Sequence, residues 1–331
     1  MNILVLGGTG WLGGEYARQA LATGHRVTCL ARAETGEVPV GATHVQADRW
    51  VSGAYRDVSG RDWHAVLEVS SQPGMVREAL AALGGRAEHW VYVSSIDVYR
   101  SHAVAGGDES DPVHEPAELD RVEAGQYAAA KVACEHASTA AVGDRLLIAR
   151  AGLLGGPGDS SGRSGYWVGR AARDRLAPLL VPDSPGAPTQ VLDMRDLAAW
   201  LLDAARRRVV GVYNAVGPTV PFGDLIELSR EVAGHRGPVV RVDPQWLIDH
   251  EVAEFGGEES LPMWVASPGW EGYQAHDGTA AVVAGLTHRS RAELLRDVLV
   301  WEEGQGLDRH RRAGLSPNRE SALLKQWTDG R

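Results

Sequence analysis

The chain has 331 residues with 33 Lys plus Arg against 43 Asp plus Glu, a formal charge of −10, and is 44% hydrophobic and 23% charged. That length supplies a sizeable core, and the acidic balance excludes a nonspecific nucleic-acid binder, which needs a net basic surface. No apolar run approaches the roughly 20 residues of a membrane span, and the two cysteines, Cys29 and Cys134, are too few for a disulfide framework and form no C-x-x-C pair.

The N-terminus MNILVLGGTG lacks the basic region and small-residue cleavage site of a secretory signal. A mature start at or near Met1 and a cytoplasmic location with reduced thiols are therefore expected. NILVLGG is an almost wholly apolar run ending in glycines, the signature of a parallel strand buried on both faces. WLGGEYARQALATGH follows with Tyr16, Ala17, Ala20 and Leu21 at helical spacing and Gly24 as a stop. RVTCLAR, THVQAD and HAVLEVS read as further strands, GMVREALAALGG as a helix, and HWVYVSS as the next strand. A polar loop over 101–120 then leads to the alanine-rich helix YAAAKVACEH and the strand RLLIARAGLL.

Strands alternating with helices predict an α/β fold, a Rossmann-type doubly wound parallel sheet over 1–152. Beyond residue 152 the pattern loosens into Gly- and Pro-rich connections such as GGPGDSSGRSG and VPDSPGAPTQ. Residues 153–331 are therefore expected to build mainly a smaller substrate-binding lobe. Some segments, GVYNAVG above all, return to the sheet. DRHRRAGLSPNRE, near the end, reads as a solvated basic segment.

The loop Gly7, Gly8, Thr9, Gly10, Trp11, Leu12, Gly13 follows the first strand, opens the first helix and satisfies G-x-G-x-x-G. In that context it predicts a dinucleotide site, because missing side chains admit a pyrophosphate to the backbone and to the free N–H groups of the helix. The acidic residue that selects NAD about 20 residues on is absent. The second strand ends in Ala31 and Arg32, and a guanidinium there suits a 2′-phosphate, so NADP(H) is favoured over NAD(H).

Lysine occurs only twice, as Lys131 and Lys325, in a chain that otherwise uses arginine. Lys131 stands four residues after Tyr127, on the same face of the expected helix. An ammonium beside a phenol lowers its pKa from about 10, which equips the pair as acid or base. Ser95 ends a strand at the carboxyl edge of the sheet, where its hydroxyl can orient a carbonyl or alcohol oxygen.

Together the glycine loop, SSIDVY, YAAAK and RAGLLGGPGD resemble the short-chain dehydrogenase/reductase superfamily, in its extended, atypical epimerase/dehydratase-like branch. The resemblance covers most of residues 1–300. It implies a Ser95, Tyr127, Lys131 triad, with Lys131 also holding the nicotinamide ribose. It further implies cofactor contacts from Asp48, from Ser70 and Ser71, and from the 150–153 stretch through Gly152. Dehydratases of the family carry Asp-Glu after the serine, whereas this chain has Ile96-Asp97, which argues against a hexose dehydratase. Epimerases of the family usually have an acidic residue after the second strand, where this chain has Ala31 and Arg32.

Candidate substrate contacts are Asp97, Tyr166, Trp167, Gln190 and Arg195, with Asp196 as a helix cap. The twelve histidines show no metal-ligand spacing, and no metal is expected. The expected protein is a monomeric or homodimeric NADPH-dependent reductase acting on a carbonyl, or an imine, of a small metabolite, without nucleic-acid or membrane partners. The alternatives are an NAD(P)-dependent epimerase of a sugar-nucleotide-like substrate and, from a different class, a non-catalytic NADP-sensing regulator or RNA-associated relative.

Overall fold

The computed structural model describes residues 1–34 and 36–330. The first half runs β1 (Asn2–Leu6), α1 (Trp11–Ala22), β2 (Arg26–Ala31), β3 (Thr43–Gln46), β4 (Ala65–Glu68), α2 (Pro73–Leu83), β5 (Trp90–Ser95), α3 (Tyr127–Val142) and β6 (Leu146–Ala151). The second half runs β7 (Leu154–Gly155), α4 (Tyr166–Arg173), β8 (Leu179–Pro182), β9 (Pro188–Gln190), β10 (Leu192–Asp193), α5 (Met194–Arg207), β11 (Gly211–Ala215), β12 (Thr219–Pro221) and α6 (Phe222–Ala233). It ends with β13 (Val239–Val242), α7 (Pro244–Asp249), β14 (Ala253–Phe255), β15 (Ser260–Pro262), α8 (Thr279–Val283), α9 (Arg291–Gln305) and α10 (Pro317–Asp329).

Seven strands form one parallel sheet in the order β11-β6-β5-β4-β1-β2-β3. The chain leaves β1 for β2 and β3, then crosses to β4 on the other side, so the switch point of this doubly wound sheet lies between β1 and β4. Side chains alternate between two apolar layers: Ile3 and Val5 pack with Tyr16, Trp200 and Leu201, while Leu4 and Leu6 pack with Val76, Leu80 and Trp90. Burial on both faces is why these strands read as continuous apolar runs. β11 pairs with β6, and α5 packs on α1, so part of the second half belongs to the sheet.

A separate core in the second half gathers Tyr166, Trp167, Leu180, Phe222, Leu261, Trp264 and Leu299. Buried charge ties the helices around it together. Arg309 and Arg311 each reach Glu302 at 2.8 Å, and Arg170 and Arg173 converge on Glu320. Glu302 is fully buried, and Glu320 nearly so. The expectation of a solvated segment over DRHRRAGLSPNRE is therefore corrected: a buried carboxylate needs a cation, and this segment delivers Arg309 and Arg311 to Glu302 and carries Glu320 itself.

Candidate active site

The glycine loop joins β1 to α1 at the switch point. Gly7 adopts φ +99°, and a Cβ there would lie 2.9 Å from Val69. A Cβ on Gly8 would meet Cys29 Sγ at 2.4 Å, and one on Gly13 would meet the Gly7 carbonyl at 2.4 Å. These contacts bring loop, helix and sheet together, and the N-terminus of α1 has neither a side-chain cap nor an acidic residue in its first turn. A backbone cradle with free helical N–H groups fits the pyrophosphate of a dinucleotide.

A cavity of about 250 Å³ on one side of the cradle is lined by Gly7, Thr9, Gly10, Arg32, Arg49 and Ser70, among others. Arg32 pairs there with Glu34 at 3.1 Å, so a cation and an anion both stand at this end. Arg49, which sequence reasoning missed, is buried against Glu68 and donates to its Oε1 at 2.9 Å. Ser70 accepts from Gln72 N through its hydroxyl, and its carbonyl accepts from Lys131 Nζ at 3.3 Å. Ser71 is half-buried beside it and is not among the residues lining this cavity. Asp48 does not line it either; its Oδ1 accepts from Trp50 N at 2.9 Å and shapes the turn after β3.

On the other side, a cavity of about 460 Å³ is lined by Trp11, Leu12, Gly152 and the three residues Ser95, Tyr127 and Lys131. Val69 borders both cavities. Lys131 is 3% exposed and donates to the carbonyls of Val93 (2.7 Å), Ser70 (3.3 Å) and Val69 (3.4 Å). Burial pulls its ammonium down to about 8. Its Nζ stands 5.8 Å from the centre of the Tyr127 ring.

Tyr127 overturns one expectation. Its phenol is pushed up to about 12, not lowered, because burial of the hydroxyl end and the charge of Asp97 outweigh a hydrogen bond with Ser95. The residue as a whole is 38% exposed and lines the cavity. The ammonium of Lys131 meanwhile is engaged by three carbonyls.

Asp97 lies at the centre of a polar chain. Ser95 Oγ donates to its Oδ2 at 3.1 Å, and the Tyr273 hydroxyl donates to its Oδ1 at 2.8 Å. Tyr273 comes from a strap over 263–278 that is tied down where Gly272 N donates to His102 O and Gly106 N donates to Ala275 O. Within the strap His276 Nε2 meets His102 Nδ1 at 3.2 Å, and burial beside that second imidazole takes His102 down to about 4, while burial lowers His276 as well. Sequence reasoning missed Tyr273, Phe255, Ser161 and Arg163, all of which line this cavity.

Four candidate substrate contacts are corrected. Tyr166 and Trp167 are 2% and 1% exposed and belong to the second core, where Trp167 Nε1 donates to Pro262 O at 2.7 Å. Gln190 is buried and binds the backbone of His276 through both ends of its amide. Arg195 is held by Asp193 and Asp297, each at 2.7 Å. The helix cap is Asp193, which accepts from Arg195 N, while Asp196 pairs with Arg289. Among the described residues no group of three or more His, Cys, Asp or Glu is placed to hold a metal ion, and no helix is long and apolar enough to cross a membrane.

No protein-family model matches the chain, and no curated protein matches it in sequence. Solved structures do share its fold. One, from Burkholderia cenocepacia and provisionally assigned as an epimerase, is 21% identical over 91% of this chain and 98% of its own, with a TM-score of 0.67. The UDP-N-acetylglucosamine 4-epimerase of Bacillus cereus is 16% identical over 92% of this chain and 100% of its own, with a TM-score of 0.65. The UDP-glucose 4-epimerase of Thermus thermophilus, solved with NAD, is 18% identical over 92% of this chain and 99% of its own, with a TM-score of 0.61. The likeness spans both halves of the chain and shows a shared fold.

Proposed function

We propose that the protein is an NAD(P)-dependent oxidoreductase of the short-chain dehydrogenase/reductase type that uses NADPH to reduce a carbonyl, or an imine, of a small metabolite. One observation carries this reading: Tyr127, with Ser95 and Lys131 beside it, opens onto a cavity that meets the glycine cradle at Val69. A bound dinucleotide supplies the hydride. Ser95 contributes one rotatable hydroxyl, which turns from Asp97 to hydrogen-bond the substrate oxygen. Tyr127 donates its proton to that oxygen as negative charge develops there. Lys131 offsets the charge left on the phenolate, its position fixed by three carbonyls.

Burial and the charge of Asp97 together favour the protonated phenol, the form that donates a proton in reduction. For the choice of dinucleotide, Arg32 at the adenosine end supports NADPH, and its Glu34 partner is the competing feature. An NADPH-oxidation screen of carbonyl metabolites tests the reading, with equimolar NADPH loss and alcohol formation as the expected result. The UDP-sugar epimerases that share the fold support a second reading, reversible epimerisation of a sugar nucleotide. Turnover without net NADPH consumption selects it.

A further inference from the structure

Arg163 lines the larger cavity, and no ion pair joins it to a carboxylate among the described residues. Arg49, Arg150, Arg170, Arg195, Arg289 and Arg311, all half-buried or buried, have one, whereas half-buried Arg291 and Arg319 are turned to the carbonyls of Pro218 and His250 instead. The loop that presents Arg163 is firmly built. Asp159, 4% exposed, accepts from Ser161 N (2.9 Å), Ser161 Oγ (2.6 Å), Ser164 N (3.0 Å) and Ser164 Oγ (2.8 Å). Trp11 Nε1 donates to Pro157 O at 2.9 Å and ties the same loop to the dinucleotide cradle.

The guanidinium itself is aimed by its neighbours. Arg163 Nε donates to Ser161 Oγ at 3.2 Å, and the fork lies 5.1 Å over the Phe255 ring. Gly256 leaves room for the stem, since a Cβ there would stand 3.1 Å from Arg163 Cδ. Phe255 has φ +61°, a left-handed backbone that is costly for a bulky residue and that persists only where surrounding structure enforces it. Arg163 lines the same cavity as Tyr127 and Tyr273, and its positive charge acts on both phenols. Asp97, the carboxylate at that end, has both oxygens occupied by hydroxyls.

We propose that Arg163 is an oxyanion-binding residue of the substrate pocket, taking a carboxylate or phosphoryl group that the substrate carries close to its carbonyl. The proposal rests on the oxidoreductase reading and narrows its substrates to anionic oxo compounds. A planar fork with free N–H donors on a preformed aromatic platform is suited to such a group.

The test titrates the full chain, with and without NADP⁺, against oxamate, inorganic phosphate and neutral oxamide, followed calorimetrically for wild type, Arg163→Gln and Arg163→Lys. The expected result is that wild type binds oxamate or phosphate but not oxamide, Arg163→Gln weakens that binding roughly 10- to 100-fold, and Arg163→Lys recovers part of it. The probe that binds distinguishes carboxylate from phosphoryl. Equal affinity in wild type and Arg163→Gln, equal binding of oxamide, or no oxyanion binding by wild type overturns the proposal. NADP⁺ affinity, measured on the same samples, reports separately on the oxidoreductase reading: its absence, with Arg163-dependent oxyanion binding intact, defeats that reading alone.

Discussion

In the sheet half, groups that work together are close in sequence or lie at corresponding strand ends, as with Tyr127 and Lys131 on one helix, or Ser95 and Asp97 around one turn. In the second half, the decisive partners are far apart: Arg170 and Glu320 are separated by 150 positions, and Tyr273 reaches Asp97 across 176. The sheet half is held by two apolar layers on regular strands with buried pairs Arg49–Glu68 and Arg150–Glu135, and the lobe by a single apolar core and arginine clusters on Glu302 and Glu320. Periodicity therefore organises the first half, while in the second half contacts distant in sequence, such as Arg170 with Glu320, help to close the fold. The larger cavity is built from both, with its chemistry on the sheet side and Phe255, Arg163 and Tyr273 on the other.

Removing the Tyr127 hydroxyl gives the largest expected effect. Tyr127→Phe loses about 10²- to 10⁴-fold in turnover while dinucleotide affinity and melting temperature hold, as steady-state kinetics beside a fluorescence titration would show. Glu320→Gln strikes the lobe instead. It leaves Arg170, 4% exposed, without its carboxylate and costs about 3–5 kcal/mol in the lobe, read by urea unfolding followed through tryptophan fluorescence. Dinucleotide binding by the folded protein should persist, and its loss would show that the two halves do not separate in this way. Gly8→Ala probes the sheet half, where the new methyl meets Cys29 Sγ. It is expected to cost about 1–3 kcal/mol and to weaken dinucleotide binding together with stability.

The pH dependence is smaller but sharper. Lys131 is charged below about 8, so kcat/KM for reduction is expected to be level there and to fall about tenfold per unit above it. Stability moves the opposite way. Because the folded value lies below the usual 10.5, folding is opposed by this charge at neutral pH, and that cost fades as pH rises from about 8 toward 10.5. A rate limb that stays flat to pH 10 would remove Lys131 from the mechanism.

The parallel sheet, the glycine loop and the placement of Ser95, Tyr127 and Lys131 on one cavity were legible because each rests on a local pattern: apolar runs, a strand–loop–helix order, an i, i+4 pair. The direction of the Tyr127 shift was not, since Asp97 and burial act through space. Tyr166 and Trp167 misled for a related reason. Aromatic residues after a glycine-rich loop suit a pocket or a core equally, and only the packing against Phe222 and Pro262 decides. Gln190 was misplaced because its partner His276 lies about a hundred residues away, and Arg195 because Asp193 at close range and Asp297 at long range together hold its guanidinium. Arg163 carried a faint signal as a cation inside a glycine- and serine-rich loop, but that no carboxylate among the described residues pairs with it is visible only in three dimensions.

The central claim is that this cavity transfers hydride from NADPH with Tyr127 as proton donor. It is tested most directly by incubating wild type and Tyr127→Phe with NADPH and a panel of anionic and neutral carbonyl compounds, following NADPH absorbance and alcohol product together. The account predicts one NADPH consumed per alcohol formed by wild type, and dinucleotide binding without turnover by Tyr127→Phe. Equal turnover by the two proteins, or no binding of either nicotinamide dinucleotide by wild type, would contradict it.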